Sequence, residues 1–223
     1  MRLKIAMAML AVAGVVGVGA HSASDEIAIP ESDGLSGLCE PFDCSTRIQQ
    51  VYDAALFPAK IRIEALELFN YFDQGSEGFV EPAHYQFFLS TTAASSSTLS
   101  IDMDANLGSH EVQIADFTIS DFETRFKTAW RFTFPKHFMF NPREGNLLLE
   151  IRKDQSARYG DGTIYVDGNT EASGVAIVTP LFGVVQGLGM TTGFVGKFLG
   201  PFTSASLRAP IPTRPAAATA LDD

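Results

Sequence analysis

Cysteine, histidine and basic side chains are all scarce in this chain of 223 residues, and each scarcity removes a class of protein. Two Cys and four His, with no His-x-x-x-His and no Cys-rich spacing, leave neither a zinc site nor a disulfide-dense scaffold to expect. Lys and Arg number 16 against 26 Asp and Glu, a formal charge of −10. A surface of that sign repels phosphate backbones, so no nucleic-acid partner is expected. There is no Gly-x-Ser-x-Gly elbow and no P-loop, which excludes the α/β-hydrolase nucleophile and the common nucleotide cradle. No repeat of 20 to 50 residues is visible, against a propeller or solenoid. Beyond the N-terminus no long stretch carries a convincing 3.6-residue apolar stripe, against a helical bundle. Aromatic side chains, by contrast, are plentiful: 18 Phe, five Tyr and one Trp in a chain that is 46% apolar. They need a core, so a disordered acidic chain is excluded as well.

The one long apolar run is at the start. Met1-Arg2-Leu3-Lys4 carries two positive charges, Ile5 to Val18 is wholly Ala, Met, Leu, Val, Ile and Gly, and Val18-Gly19-Ala20 places small residues where a signal peptidase reads. Residues 1–20 therefore read as a signal peptide cut after Ala20, too short and Gly-rich to span a bilayer. Its removal leaves residues 21–223 with 14 bases against 26 acids, a formal charge of −12. An exported chain meets an oxidising compartment, so Cys39 and Cys44 are expected to form one small disulfide loop. Closing so short a loop is worth about 2 kcal/mol in the entropic model, a local clip. The expected location is secreted or periplasmic in a bacterium, with no membrane span in the mature chain.

Residues 21–44, polar and containing the disulfide loop, read as a leader, mobile over 21–38. From Arg47 the pattern is that of strands. Ile61, Ile63 and Ala65 alternate with Arg62 and Glu64, and Leu66, Leu68 and Tyr71 shift the phase, which predicts a bulge or helical turn near Ala65–Glu67. Tyr85, Phe87 and Leu89 alternate, as do Val112, Ile114 and, after a one-residue slip, Phe117 and Ile119. Trp130, Phe132 and Phe134 form a fourth run that Pro135 is expected to end. Leu147-Leu148-Leu149 is continuous, which places Leu147–Ile151 in the middle of a sheet with both faces covered. Further strands are predicted at 162–166, 172–178 and 193–198. Asp116–Lys127 also fits a short helix through Phe117, Phe122 and Phe126. Residues 92–98, Thr-Ala-Ala-Ser-Ser-Ser-Thr, read as a loop with nothing to bury. The Gly-rich tract 183–200 reads as a strand pair or a loose cover. These short strands and turns predict an all-β fold, a β-sandwich of the jelly-roll kind over 45–208, with a disordered Pro/Ala-rich tail at 209–223.

Three segments carry a family resemblance. Thr46-Arg47-Ile48-Gln49-Gln50-Val51-Tyr52-Asp53, then Phe88-Leu89-Ser90-Thr91-Thr92, then Phe140-Asn141-Pro142-Arg143-Glu144-Gly145-Asn146-Leu147-Leu148-Leu149-Glu150-Ile151 resemble the exported β-rich domains of bacterial PEP-CTERM proteins. The similarity runs over about residues 45–208, and its most specific part is Asn-Pro-x-x-Gly-Asn-Leu-Leu-Leu. The resemblance implies association with exopolysaccharide and biofilm matrix and no general catalytic residues. The family's sorting tail, a Pro-Glu-Pro motif followed by an apolar helix and basic cluster, is not expected here: Ala209-Pro210-Ile211-Pro212 is followed by 11 residues, mostly small with two acids at the end, that offer no apolar run. The string also has its own local logic. Asn141-Pro142 starts a turn, Gly145 accepts positive φ, and Asn146 can bond backbone as the chain enters the Leu strand.

Candidate sites are sparse. Asp102, Asp104 and Asn106 offer oxygens at alternate positions as a calcium loop does, with Asp121 as a further ligand, although Leu107 and Gln113 stand where an EF-hand has Gly and Glu. Asp161-Gly162 and Asp167-Gly168-Asn169 are turn signals. Among the acids, Asp116 and Glu150 are the nominal pair for a glycosidase. Sugars present flat apolar faces on which exposed aromatics stack. The pool is Trp130, Tyr52, Tyr71, Tyr85, Tyr159 and Tyr165. Trp130 and Tyr85 sit in alternating apolar runs and read as core, which leaves Tyr159 and Tyr165 as the carbohydrate contacts. The expectation is an exported, non-catalytic envelope or extracellular-matrix protein that binds polysaccharide and requires no cofactor, calcium being the one ion considered. The alternatives are a self-assembling surface protein and, behind it, a carboxylate-dependent glycoside hydrolase.

Overall fold

The computed structural model describes residues 25–34, 36–39, 41–42, 44–71, 83–108, 110–119, 129–154 and 165–199. The expected signal peptide and C-terminal tail lie outside them. The fold is all-β, two antiparallel sheets stacked as a sandwich with a small third sheet at one end. The larger sheet has six strands in the order β11-β10-β3-β8-β5-β6: β3 (Arg47–Tyr52), β5 (Ala83–Thr92), β6 (Val112–Ile119), β8 (Asn146–Lys153), β10 (Val175–Thr179) and β11 (Gly183–Gln186). The four-stranded sheet, in the order β1-β13-β4-β7, is built from β1 (Asp25–Ile29), β4 (Lys60–Phe69), β7 (Ala129–Phe140) and β13 (Thr192–Leu199). β2 (Ser36–Leu38), β9 (Val166–Asn169) and β12 (Gly189–Met190) form the third sheet in the order β12-β9-β2. The two-sheet sandwich stands, while the jelly-roll wiring does not follow from this strand order.

The core between the sheets is drawn from the alternating runs. Ile61, Ile63, Leu66 and Leu68 of β4, with Phe194 of β13, face Ile48, Tyr85, Phe87 and Leu89 of the larger sheet, all essentially without solvent contact. Each such side chain contributes about 1.5–3 kcal/mol by leaving water. The phase shift in β4 is a bulge. Its register slips between Ile63 and Ala65 against β7 and between Val195 and Gly196 on the other side, so Glu64 is the extra residue and the inward set changes parity. The slip in β6 is also a bulge, opposite Phe87/Phe88 of β5.

β8 lies between β3 and β5, and its Leu run is covered on both sides. Leu147, Leu149 and Ile151 point into the main core. Leu148 points the other way, into a second cluster with Val51, Ala176, Val178, Leu99 and Met103. The lid is the connection between β5 and β6, residues 93–111, with a 3-10 turn at Met103–Asn106. It is pinned by polar bonds. Asp53 accepts from the Ser96 amide at 2.8 Å and the Ser96 hydroxyl at 2.7 Å, while Asn146 accepts from the Ala54 amide at 2.7 Å and donates to the Ala94 carbonyl at 2.8 Å. Gly145, at φ 149°, approaches the Thr92 carbonyl so closely that a Cβ would lie 2.6 Å from its oxygen. The Asn-Pro-x-x-Gly-Asn string is thus architectural, as its local chemistry suggested.

Several expectations change. The leader is part of the fold: β1 pairs with β13 and buries Ile29, and β2 pairs with β9, because the open edge of β13 and the end of the sandwich need covering. Pro135 does not end β7, which continues to Phe140. β7 is an edge strand whose ladder is interrupted between Phe138 and Thr133, so the missing N–H disrupts no pairing. Phe117 belongs to β6, stacked on Tyr85 at 5.4 Å and Phe132 at 5.0 Å, which removes the helical reading for 116–119; residues 120–128 lie outside the described residues. Residues 93–98 of the Ser-rich stretch are a loop, and within it Ala94 packs against the second cluster beside Leu99, which follows it. The Gly-rich tract 183–200 supplies β11, β12 and β13, one strand to each sheet.

Cys39 and Cys44 form the disulfide, with Cα atoms 5.5 Å apart. Between them Phe42 is fully buried, its ring 5.0 Å from Trp130 and 5.9 Å from Tyr85, and its carbonyl accepts from the Lys153 ammonium at 3.2 Å. The clip therefore carries a core side chain. Thiol reduction should remove about 2 kcal/mol and lower the melting temperature by about 4–8 °C. Because Trp130 is the sole tryptophan, its emission should shift to the red over the same titration, which a fluorescence melt with and without reductant checks.

Candidate functional site

The polar residues singled out in the sequence separate into a structural network and an exposed face. The network lies on the outer face of the large sheet. Residues directly opposite each other across antiparallel strands share a face, which puts Arg47, Arg152 and Gln86 in one row and Gln49, Glu150 and Phe88 in the next. Glu150 is 1% exposed. Its Oε1 accepts from Arg47 Nε and Arg152 Nε, both at 2.7 Å, and its Oε2 accepts from Gln49 Nε2 at 2.9 Å. Arg152 lies over the Phe88 ring, 4.2 Å from its centroid, and reaches Glu111 at 2.8 Å. Burial pushes the Glu150 carboxyl upward, but the hydrogen bonds from Arg152, Arg47 and Gln49 and the Arg47 charge outweigh it and hold the carboxyl below its usual range.

Asp116 sits on the same face nearer the edge, exposed, accepting from His84 at 2.5 Å and Gln113 at 2.7 Å. The His84 and Gln86 hydrogen bonds also lower its pKa. With both carboxyls held ionised, neither is suited to act as the general acid of a glycosidase.

The oxygens of the expected calcium loop are engaged within the protein. Asp102 Oδ1 accepts from the Asp104 amide at 3.2 Å, capping the 3-10 turn, and Asp104 Oδ1 pairs with Arg47 at 2.7 Å. Asn106 is buried, its Oδ1 taken by the Ser100 amide at 2.8 Å and its Nδ2 by Gln49 at 2.9 Å and the Ser100 carbonyl at 2.8 Å. Alternate oxygens here serve to close a turn and anchor the lid. Among the described residues no group of three or more His, Cys, Asp or Glu side chains converges on a metal position.

The aromatic pool also divides. Trp130, Tyr52 and Tyr85 are buried, and Tyr52 donates from its hydroxyl to Thr192 at 2.7 Å while accepting from Gln50 at 2.7 Å. Burial raises the Tyr52 pKa well above the normal phenol range against those two bonds. Tyr159 lies outside the described residues, as do Asp121 and Asp161-Gly162. Tyr165 is 44% exposed.

The face around Tyr165 is built by the small third sheet. Asp167-Gly168-Asn169 is strand rather than turn: β9 alternates, with Val166 and Gly168 buried and Asp167 and Asn169 facing outward at half exposure. Tyr165 precedes the strand in the same parity as Asp167. Gly37 of β2 lies opposite Asp167. A Cβ at Gly37 would fall 2.6 Å from Tyr71 Cδ1 and 2.9 Å from Tyr165 Cβ, so the absence of a side chain there lets Tyr71 lie beside Tyr165. The Tyr71 amide donates to the Tyr165 carbonyl at 2.8 Å. Ser32 donates to Asp167 Oδ1 at 2.7 Å, and Asn169 donates to the Glu31 carbonyl at 2.8 Å. The result is an exposed ring with a half-buried second ring, flanked by a carboxylate, an amide and a hydroxyl on a fixed strand. Such a face suits stacking on an apolar sugar face with hydrogen bonds to its hydroxyls, and it needs no change of charge.

The alternation Tyr165-x-Asp167-x-Asn169 was present in the sequence. The contribution of Tyr71 and Gly37 was not, because no local signal joins residues so far apart in the chain. Compared with known protein families, curated proteins and solved structures, the chain matches none.

Glu150→Ala would leave two guanidiniums facing one another and should cost about 3 kcal/mol. Since the folded pKa of Glu150 is depressed, its contribution is present above the unfolded carboxyl value and lost as pH falls through the folded one. Denaturant melts of wild type should therefore weaken below about pH 4.5, and Glu150→Gln should flatten that part of the profile.

Proposed function

We propose that this is an exported, non-catalytic protein of the bacterial envelope or extracellular matrix, with a domain resembling those of PEP-CTERM proteins but not sorted by their tail, that contacts polysaccharide through the Tyr165 face. The observation that carries the contact is the pairing of an exposed Tyr165 with Tyr71 across Gly37, with Asp167 and Asn169 on the same face. Export is supported by the charged and apolar leader of residues 1–20 and by the disulfide, which is compatible with an oxidising compartment. Among the described residues no helix is long and apolar enough to cross a membrane. The family resemblance gains a physical rationale, since its three segments fall on β3, β5 and β8, neighbours in the centre of the large sheet. The non-catalytic reading is supported by the hydrogen bonds that tie Glu150 to Arg47, Arg152 and Gln49 and Asp116 to His84 and Gln113.

The formal charge of the mature chain repels polyanions, so a neutral polysaccharide is the better substrate for this face than an acidic one. In affinity gel electrophoresis of residues 21–223, a neutral polysaccharide should retard the protein. Tyr165→Ala should weaken the retardation about tenfold, the value of one aromatic stacking contact, while leaving the melting temperature unchanged. No retardation by any neutral or acidic polysaccharide, the producing cell's own included, removes the sugar-binding part of the proposal.

A further inference from the structure

The hairpin from β10 to β11 turns through Pro180, Leu181 and Phe182, and it closes on Gly183 at φ 68° with the Phe182 amide bonded to the buried Thr179 hydroxyl at 3.0 Å. This geometry holds two large apolar side chains out of the core. Phe182 is 56% exposed and Leu181 is 47% exposed. Ile101, 74% exposed at the rim of the lid, adjoins them, its Cδ1 3.8 Å from where a Gly183 Cβ would stand. These three account for half of the six large apolar residues that are exposed among the described residues. A fixed turn presenting a contiguous apolar cluster marks an interaction surface rather than scattered exposure.

The strand that leaves this turn is the end of the large sheet. Among the described residues β11 pairs with β10 alone, so one side of its backbone is an open template. The other three edges of the two large sheets are guarded by charge. β1 carries Asp25 and Glu26, β6 carries Asp116, and β7 carries Arg131 and Lys136 together with Pro135. β11, Gly-Val-Val-Gln, carries no charge at all, and neither does its turn.

Charge also selects the occupant. Two copies of a mature chain with a formal charge of −12 repel one another wherever their acids face, and of the four large-sheet edges only the β11 edge lets them meet without opposing charged side chains. A bilayer is a poorer fit, because no basic residue flanks the tip to engage anionic headgroups. We propose that β11 and the Leu181–Phe182–Ile101 cluster form a self-association surface, where β11 of one copy pairs antiparallel with β11 of a second about a two-fold axis and extends the six-stranded sheet across the pair. The interface is isologous and closes as a dimer.

The test uses the mature chain, residues 21–223, and two readouts independent of sugar. Light scattering coupled to size exclusion should give a dimer at tens of micromolar that dissociates on dilution. The double variant Leu181→Glu, Phe182→Glu should weaken the dimer at least tenfold without lowering the melting temperature, since both side chains are exposed. Amide hydrogen exchange over 183–186 should slow as concentration rises in wild type and not in the variant. A monomer at every concentration, or a dimer that survives the double variant with 183–186 unprotected, overturns the proposal. So does a monomer in solution that floats with neutral lipid vesicles through Phe182, which would reassign the cluster to membranes. Loss of polysaccharide retardation in Tyr165→Ala leaves all of these readouts unaffected.

Discussion

The fold depends on one carboxylate that water does not reach. Glu150 sits in the centre of the six-stranded sheet, and its two oxygens collect Arg47, Arg152 and Gln49 from two strands. Gln49 passes the connection on to Asn106 and to the Met103 carbonyl, and Arg47 to Asp104, so the lid that covers Leu148 and Val51 is fastened to the same group. An apolar residue of similar size could fill the volume, but it would take away the acceptor of both Arg Nε groups and one of the two acceptors of the Gln49 amide, leaving the guanidiniums with Asp104 and Glu111 alone. Burial of the Leu run, position of the lid and ionisation of the cluster are consequently one arrangement.

That arrangement draws together three separate strings of sequence. Thr46–Asp53, Phe88–Thr92 and Phe140–Ile151 are distant in the chain but adjacent in the sheet, where they share the Gln49–Glu150 contact and the loop ends fixed by Asp53, Asn146 and Gly145. Residues of this kind are constrained by geometry at several points at once. The polar face around Tyr165 lies elsewhere, on the small third sheet, and can vary without disturbing the centre.

The strand alternations, the phase slips in β4 and β6 and the two-sided burial of Leu147–Leu149 could be read directly, because a period of two records which side of a strand is dry; that the β4 slip is a bulge at Glu64 rather than a helical turn could not. Reading failed where a residue's partner was remote. Asp25–Ile29 looks polar, yet it closes β13 some 170 residues away, and Pro135 looks like a terminator, yet it falls on an edge where its missing donor has no role. Asp102, Asp104 and Asn106 present the spacing of a cation loop, but the deciding groups are Arg47 and Gln49, which no local pattern joins to them. For the same reason Tyr165 was legible as an exposed aromatic while its companion Tyr71 was not.

The ladder that joins the first strand to the last has a kinetic corollary. The four-stranded layer remains open until residues 192–199 have been synthesised, because β13 separates β1 from β4. The β3–β8 pairing similarly waits for residue 146 onward. Such long-range closure makes folding slower than it would be for strands paired only with their neighbours in sequence. In a chain with this wiring the first strand waits for the last before its layer can close.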